Sequence, residues 1–143
     1  MKLPQAPALT VLYSGSKLPT PEVIALVEEK RQRQPETFAQ LDALIGAVVQ
    51  RAFAAAAKGD WPALGELMNV NQGLMDALGV NNAKLAELVF ALREDPQIFG
   101  SKISGSGLGD CVVGLGKAMR REWGVPALAI EVDPAGATAE APA

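Results

Sequence analysis

A glycine-rich loop near the end of the chain carries the clearest chemical signal in the sequence. Gly105, Gly107 and Gly109 alternate there with Ser106 and Leu108, between two short apolar runs. Because glycine has no Cβ and tolerates positive φ, the amides of such a loop can approach a ligand closely and form a cradle for an anion. One cation and two hydroxyl groups in the same stretch favour phosphate over a neutral sugar or a lipid. These side chains belong to Lys102, Ser104 and Ser106.

Two common phosphate-binding motifs do not fit this loop. The dinucleotide fingerprint G-x-G-x-x-G opens a helix, whereas here the third glycine comes one residue early and an apolar strand is predicted to follow. The P-loop pattern ends in Gly-Lys-Ser/Thr, whereas Gly116 and Lys117 are followed by Ala118. The loop therefore predicts a phosphate site of another type.

Length and composition narrow the class of protein. The chain has 143 residues, 49% of them hydrophobic, and a net charge of −3, which predicts one globular domain without a basic surface for nucleic acid. It has no histidine and one cysteine, which excludes an internal disulfide, His-ligated metals and catalysis by Ser-His or Cys-His pairs. No apolar run is long enough to span a membrane and the first residues lack a signal-peptide core, so we expect a cytoplasmic protein.

The elements that must position the loop begin with a strand at residues 8–13 and continue with helices. Thr20 before Pro21 predicts the N-cap of the first helix, and Gly59, Asp60 and Asn82 predict later boundaries. The four predicted helices span residues 20–33, 35–59, 60–79 and 82–96. Apolar residues recur at three- and four-residue steps in these helices, so we expect the stripes to form the core. In the long second helix the stripe is Phe38, Leu41, Leu44, Ile45, Val48, Val49, Ala52 and Phe53.

After the loop, the sequence predicts a strand over residues 111–115, a short helix over 117–123 and an edge strand over 126–132. A mixture of strands and helices in this order indicates an α+β fold, with a small antiparallel sheet covered by several helices on one face. We expect an irregular lead-in at residues 1–8, one domain at residues 9–132 and a flexible tail at residues 133–143.

The loop and its flanking strands resemble the third conserved motif of the GHMP small-molecule kinases. In that family Lys-hydrophobic-Ser/Thr-Gly leads into Ala/Ser-Gly-x-Gly-Gly/Asp-Cys and a second strand, and residues 102–115 match position by position. The resemblance is greatest to the mevalonate kinase branch, because Leu67-Met-Asn-Val-Asn-Gln-Gly-Leu-Met-Asp-Ala-Leu-Gly-Val80 is similar to its acceptor-side helix. Asp110 departs from the glycine common in that branch and is similar to the phosphomevalonate kinases. Over residues 9–132 the resemblance implies a ferredoxin-like C-terminal kinase domain.

The same resemblance implies roles for particular residues. It places the loop at the phosphates, with these candidates: Lys102, Ser104, Gly105, Ser106, Gly107, Gly109 and Asp110. It places four residues on the acceptor side: Thr20, Asn69, Asn71 and Gln72. Ordinary structural roles remain open for several of them: Thr20 as a plain N-cap, the amides of the third helix as solvent-exposed groups, and Lys102 as an exposed strand residue. Cys111 is predicted to be a packed, unreactive thiol.

The family's main ATP loop, Pro-x-x-x-Gly-Leu-x-Ser-Ser-Ala, and its catalytic aspartate belong to an N-terminal half, and no such loop occurs in this sequence. We therefore expect half of a kinase, inactive alone, whose partner is the N-terminal half or a second copy bound through an exposed apolar face. ATP and Mg²⁺ are expected only in the complete enzyme, and no metal ligand set is visible here. The alternative is a stand-alone, non-catalytic domain that binds a small phosphorylated metabolite or a protein partner.

Overall fold

The computed structural model describes residues 4–133 of the chain. The first three residues of the predicted lead-in lie outside the described residues, and so does the predicted tail except for Asp133. None of the helices between residues 4 and 133 is long and apolar enough to cross a membrane.

Four antiparallel strands form one sheet. They are β1 (Leu9–Tyr13), β2 (Ser101–Ser104), β3 (Cys111–Leu115) and β4 (Ala127–Ile130). The order across the sheet is β2-β3-β1-β4, so β1 and β3 are central and the other two strands are edges. Cys111 of β3 pairs with Ser104 of β2 on one side and with Tyr13 of β1 on the other. The glycine loop connects Ser104 to Cys111, so the end of β1 lies beside the loop.

Four helices complete the α+β fold that the sequence predicts. They are α1 (Thr20–Arg33), α2 (Pro35–Lys58), α3 (Trp61–Ala77) and α4 (Ala83–Arg93). Helix α4 packs against β2 and β3, α3 lies along β2, and α2 packs against α3. The sheet and α4 enclose the main core, whose buried members are Leu12, Leu85, Leu88, Val89, Leu92, Ile98, Ile103, Val112 and Trp123.

Most of the predicted helix ends are confirmed. Gly59 ends α2 with φ 72°, Asp60 accepts a hydrogen bond from the Ala63 amide, and Asn82 accepts one from the Leu85 amide. The prediction for Thr20 is wrong, because Pro19 occupies the N-cap position and Thr20 is the first residue of α1. The Thr20 hydroxyl makes no capping bond and lies instead beside the glycine loop.

The short helix predicted after β3 is also absent. Residues 117–123 do not form a helix, because the amides of Met119 and Arg120 donate to the Asp95 carboxylate and the Ala118 amide donates to Thr10 Oγ1. These bonds replace the carbonyl acceptors of a helical turn.

The apolar stripe of α2 is buried only in part. Phe38 and Val48 are buried, whereas Leu44, Val49 and Phe53 are 49%, 52% and 60% exposed. Periodicity identifies the apolar face of a helix but not whether a neighbour covers the whole of it. Part of α2 is therefore an uncovered apolar surface rather than core.

Candidate functional site

The glycine loop, residues 105–110, has an unusual backbone that no ordinary hairpin turn requires. Gly105, Gly107 and Gly109 have φ of 85°, 87° and 134°, and the non-glycine residues Leu108 and Asp110 also have positive φ, 54° and 68°. Left-handed conformations in residues that carry a Cβ are uncommon and collect at ligand-binding segments. The loop is thus a compact turn whose backbone conformation depends on its glycines.

Backbone hydrogen bonds to other segments hold the loop in place. The Leu108 amide donates to the Val80 carbonyl at 2.7 Å, and the Asp110 amide donates to the Ser16 carbonyl at 2.6 Å. A Cβ added to Gly107 would lie 2.3 Å from the Val80 oxygen, so this position requires glycine for close packing as well as for φ. The other amides of the loop differ, since those of Ser106 and Gly109 have no acceptor within residues 4–133.

The outer side of the loop is open. A Cβ added to Gly105 would meet no atom within 4 Å. Beside this opening lies the N-terminus of α1, where the Thr20 hydroxyl is 3.4 Å from the Ser106 hydroxyl. A helix N-terminus carries partial positive charge, which favours an anion beside these two hydroxyl groups.

Lys17 places a cation beside Asp110, the last residue of the loop. Its ammonium forms an ion pair with the Asp110 carboxylate at 2.8 Å. The hydrogen bond from Lys17 holds the pKa of Asp110 below its usual value, and the same bond raises the pKa of Lys17. Both groups are therefore charged at neutral pH, and the lysine remains 59% exposed and accessible to a ligand.

Cys111 follows the loop and is half-buried at the start of β3. Burial raises the pKa of its thiol, and the nearby Asp110 carboxylate, 3.5 Å away, raises it further. A raised pKa lowers the thiolate fraction and hence the reactivity of the thiol. The side chain suits packing better than nucleophilic chemistry, in line with its predicted role.

Lys102 lies in a different place, at the end of a groove between α2 and α3. The groove has a volume of about 440 Å³ and is lined by Lys102, Asn71 and apolar residues that include Val49, Phe53 and Met68. The Lys102 ammonium donates to the carbonyl of Ile103, and burial lowers the pKa of the lysine. It forms no ion pair in the part of the chain that the structure describes. Lys102 is thus half-buried rather than an exposed strand residue.

The amide side chains of α3 face β2 and not solvent. Asn69 Oδ1 accepts a hydrogen bond from the Ser101 amide at 3.0 Å, and Gln72 Oε1 accepts one from the Ile103 amide at 2.7 Å. These are outward-facing donors of an edge strand, which would otherwise be left without partners. The interpretation of these side chains as solvent-exposed groups is therefore wrong. They hold the strand that enters the glycine loop, whereas Asn71 lines the groove beside Lys102.

The structure thus divides the predicted site residues into three groups. Thr20, Ser106 and Asp110 come together at the glycine loop with its glycines, while Lys102 and Asn71 share the groove. Asn69 and Gln72 support β2, and Ser104 is the last residue of that strand, opposite Cys111. Lys17 was missed by the sequence reasoning, although the antiparallel pairing of residues 9–13 with 111–115 would have placed residues 14–17 against Asp110.

The loop does not fit a metal ion. The Asp110 carboxylate is occupied by Lys17, and between residues 4 and 133 no group of three or more His, Cys, Asp or Glu side chains is arranged to hold one. Magnesium prefers carboxylates together with phosphate oxygens and water, and a carboxylate paired with a cation is a poor ligand. No metal step is assigned to these residues.

Comparison with known proteins supports the resemblance seen in the motifs. Residues 52–122 match the family model described as GHMP kinases C terminal. This chain carries the C-terminal domain of the GHMP kinases. It is 38% identical over 127 residues to the mevalonate kinase of Pyrococcus furiosus, a match that covers 85% of this chain and 36% of that protein. The chain therefore spans about a third of the length of such relatives.

Solved structures show the same fold. The crystal structure of L. major mevalonate kinase in complex with R-mevalonate superposes with a TM-score of 0.76 and 32% identity, over 80% of this chain and 35% of that one. Streptococcus pneumoniae phosphomevalonate kinase in complex with phosphomevalonate and AMPPNP matches with a TM-score of 0.61. At 18% identity over 78% of this chain and 33% of that one, the second likeness concerns the fold alone.

Proposed function

We propose that this domain forms the C-terminal part of a kinase that transfers the γ-phosphate of ATP to an alcohol of the mevalonate type. The observation that carries the proposal is the glycine loop, with the Ser106 amide free and Thr20 and Lys17 beside it. The loop belongs to a chain that is 38% identical to a mevalonate kinase. Mevalonate is preferred to phosphomevalonate as the acceptor because a mevalonate kinase is the more similar of the two solved structures.

The proposed task of these residues is electrostatic. Phosphoryl transfer depends on placing the two substrates and on stabilising negative charge on the moving group. The free amide of Ser106, the N-terminus of α1 and the Lys17 ammonium, which is paired with Asp110, supply positive charge along the loop. The Thr20 and Ser106 hydroxyl groups add directional hydrogen bonds for an oxygen bound there. ATP would arrive with its Mg²⁺, which neutralises charge on the phosphates.

We also propose that turnover requires an N-terminal kinase half of the family's type. The sequence contains no Pro-x-x-x-Gly-Leu-x-Ser-Ser-Ala stretch, so nothing in it matches the family's main ATP loop. The uncovered apolar side chains of α2 give such a half a surface to pack against. The reaction is proposed to take place in the cytoplasm.

A kinase assay tests this proposal. The 143-residue chain is mixed with the N-terminal part of the Pyrococcus furiosus mevalonate kinase, and ADP release is followed with ATP and mevalonate. We expect no turnover by the chain alone and measurable turnover by the pair. Ser106→Ala and Gly105→Ala should each lower kcat/KM about tenfold, because each disturbs charge stabilisation at the loop.

Gly124→Ala is the matched control for Gly105→Ala. Both glycines have positive φ, 68° and 85°, and at both a Cβ would meet no atom within 4 Å, so the two changes impose similar backbone strain. Only Gly105 lies in the loop. Gly124→Ala should therefore stay active. If Ser106→Ala and Gly105→Ala were both as active as the unaltered pair, the loop would have no part in phosphoryl transfer. Binding of a phosphorylated metabolite without turnover by the pair would favour the non-catalytic alternative.

A further inference from the structure

The two edges of the sheet are treated differently. At the β2 edge, Asn69 and Gln72 accept the hydrogen bonds of the outward-facing amides. At the β4 edge, no strand or helix within residues 4–133 covers Ala127–Ile130, and all four residues are exposed. Natural proteins normally protect an edge with charge, proline or a covering element. Strand β4 contains neither charge nor proline, and its outer edge is open among residues 4–133.

The register shows which groups of β4 face outward. Leu128 pairs with Val11 and Ile130 with Leu9, and the Tyr13 amide donates to the Pro126 carbonyl. In an antiparallel ladder, hydrogen-bonded and non-bonded pairs alternate, so the backbone groups of residues 126, 128 and 130 face β1. The N–H and C=O groups of residues 127, 129 and 131 therefore point away from the sheet.

We propose that β4 pairs antiparallel with β4 of a second copy of this chain, about a two-fold axis at Ala129. In this register Ala129 lies opposite Ala129 of the second copy, and Ala127 lies opposite its Glu131. These are the residues whose backbone groups face outward, so every pair can exchange both hydrogen bonds. The two four-stranded sheets become one continuous sheet, and the interface is isologous.

The side chains agree with this register on one face of the sheet. Leu128 is 65% exposed and Ile130 is 42% exposed. In the proposed register, Leu128 of each copy would lie opposite Ile130 of the other copy. Cross-strand pairs of large aliphatic side chains stabilise a sheet. Two exposed apolar side chains per chain would thus be covered by the same pairing that satisfies the backbone.

Charge complementarity supports the same register on the other face of the sheet. Ala127 and Ala129 line a cavity of about 580 Å³ whose cations are Lys117, Arg120 and Arg121. Side chains alternate along a strand, so Glu131 projects to the same face as these two alanines. Since Glu131 of the second copy lies opposite Ala127, its carboxylate would reach this basic cavity. The symmetry repeats the contact on both sides of the interface.

The inference rests on β4 and its neighbours and is independent of the proposed kinase activity. Light scattering of the 143-residue chain over a range of concentrations should show a mass that rises from 14.9 kDa towards twice that value. Ala129→Pro removes an outward-facing N–H without removing a bond to β1, so it should raise the dimer dissociation constant at least about tenfold. Ala129→Val keeps the N–H and should leave the dimer intact.

Charge variants give a second test that does not alter the strand. Glu131→Lys should weaken the dimer about tenfold by placing a cation against the basic cavity. Adding Arg121→Glu to the same chain should restore much of the affinity. Circular dichroism spectra and melting temperatures should show that each variant is folded.

Hydrogen exchange tests whether the outer edge of β4 pairs with a second copy. The Ala129 amide should exchange rapidly in dilute solution and slowly when the chain is dimeric. A chain that stays monomeric at millimolar concentration would overturn the proposal, and so would a dimer that survives both Ala129→Pro and Glu131→Lys. Slow exchange of the Ala129 amide in dilute, monomeric protein would also overturn it, because the edge would then be paired within one chain.

Discussion

Replacing Gln72 with methionine tests how the strand that leads into the glycine loop is held. Gln72 is 6% exposed, and its side-chain oxygen accepts the Ile103 amide at 2.7 Å. Methionine has a similar length, volume and helix propensity, so the change removes the acceptor without opening a large cavity. The Ile103 N–H is then left buried without a partner.

The expected cost follows from that unsatisfied donor. A buried N–H that loses its acceptor destabilises a protein by roughly 1 to 3 kcal/mol, and we take about 2 kcal/mol because the bond is short and Ile103 is fully buried. For a chain of this size the loss corresponds to a fall in Tm of about 6 to 8 °C. The effect should reach the loop, since β2 ends at Ser104.

Urea denaturation measures the loss of stability, and exchange of the Ile103 amide reports the broken bond directly. Asn71→Met on the same helix is the control, because Asn71 lines the groove and makes no hydrogen bond to the described part of β2. We expect a lower urea midpoint and faster Ile103 exchange for Gln72→Met alone. Equal midpoints for the two variants, with unchanged exchange at Ile103, would refute the view that α3 protects this sheet edge.

Three further predictions concern the loop, the long helix and acid stability. Gly107→Ala should destabilise the chain by at least about 2 kcal/mol more than Gly105→Ala in urea titrations. Both glycines have positive φ, but only at Gly107 would a Cβ meet a backbone oxygen, at 2.3 Å. Equal losses of stability would contradict the packing of the loop on Val80. Phe38 is 4% exposed and Phe53 is 60% exposed. In urea titrations, Phe38→Ala should therefore lower the free energy of unfolding by about 3 to 4 kcal/mol and Phe53→Ala by less than about 0.5 kcal/mol. Similar losses would show that α2 is covered along its whole apolar face. Burial acts to raise the pKa of Asp95, but hydrogen bonds from the amides of Arg120, Gln97 and Met119 hold it below its usual value. A depressed pKa in the folded state means that this stabilisation is present above the unfolded pKa, near 4, and is lost as pH falls through the folded value. Asp95→Ala should therefore lower stability by about 2 kcal/mol at pH 7 and reduce the loss of stability below pH 4, and an unchanged acid limb would count against this role.

Local chemistry made much of the fold predictable. Helix ends at Gly59, Asp60 and Asn82 depend on φ or on a capping side chain three residues from its donor, and both are visible in the sequence. The hairpin around the glycine loop was also predictable, because the glycines separate two short apolar runs. The apolar stripe of α4 is also core as predicted, because this helix packs directly on β2 and β3 and buries Leu85, Leu88, Val89 and Leu92.

Contacts between distant segments were not predictable in this way. The roles of Asn69 and Gln72 depend on where β2 lies, about 30 residues away in sequence. The irregular path after Gly116 depends on acceptors from Thr10 and Asp95, which compete with helical bonds. The pairing of Lys17 with Asp110 likewise requires β1 and β3 to be neighbours.

The most direct test of the proposed phosphate site is an NMR titration of the labelled chain, paired with an N-terminal kinase half, with a non-hydrolysable ATP analogue and mevalonate. The backbone amides of Ser106 and Gly109 should show the largest shifts in the chain and become protected from exchange, and Thr20 should shift with them. Ala118 and the other amides bonded to Thr10 and Asp95 should change little. If both ligands bound while the amides of Ser106 and Gly109 kept their positions and exchange rates, the glycine loop would not be the phosphate site.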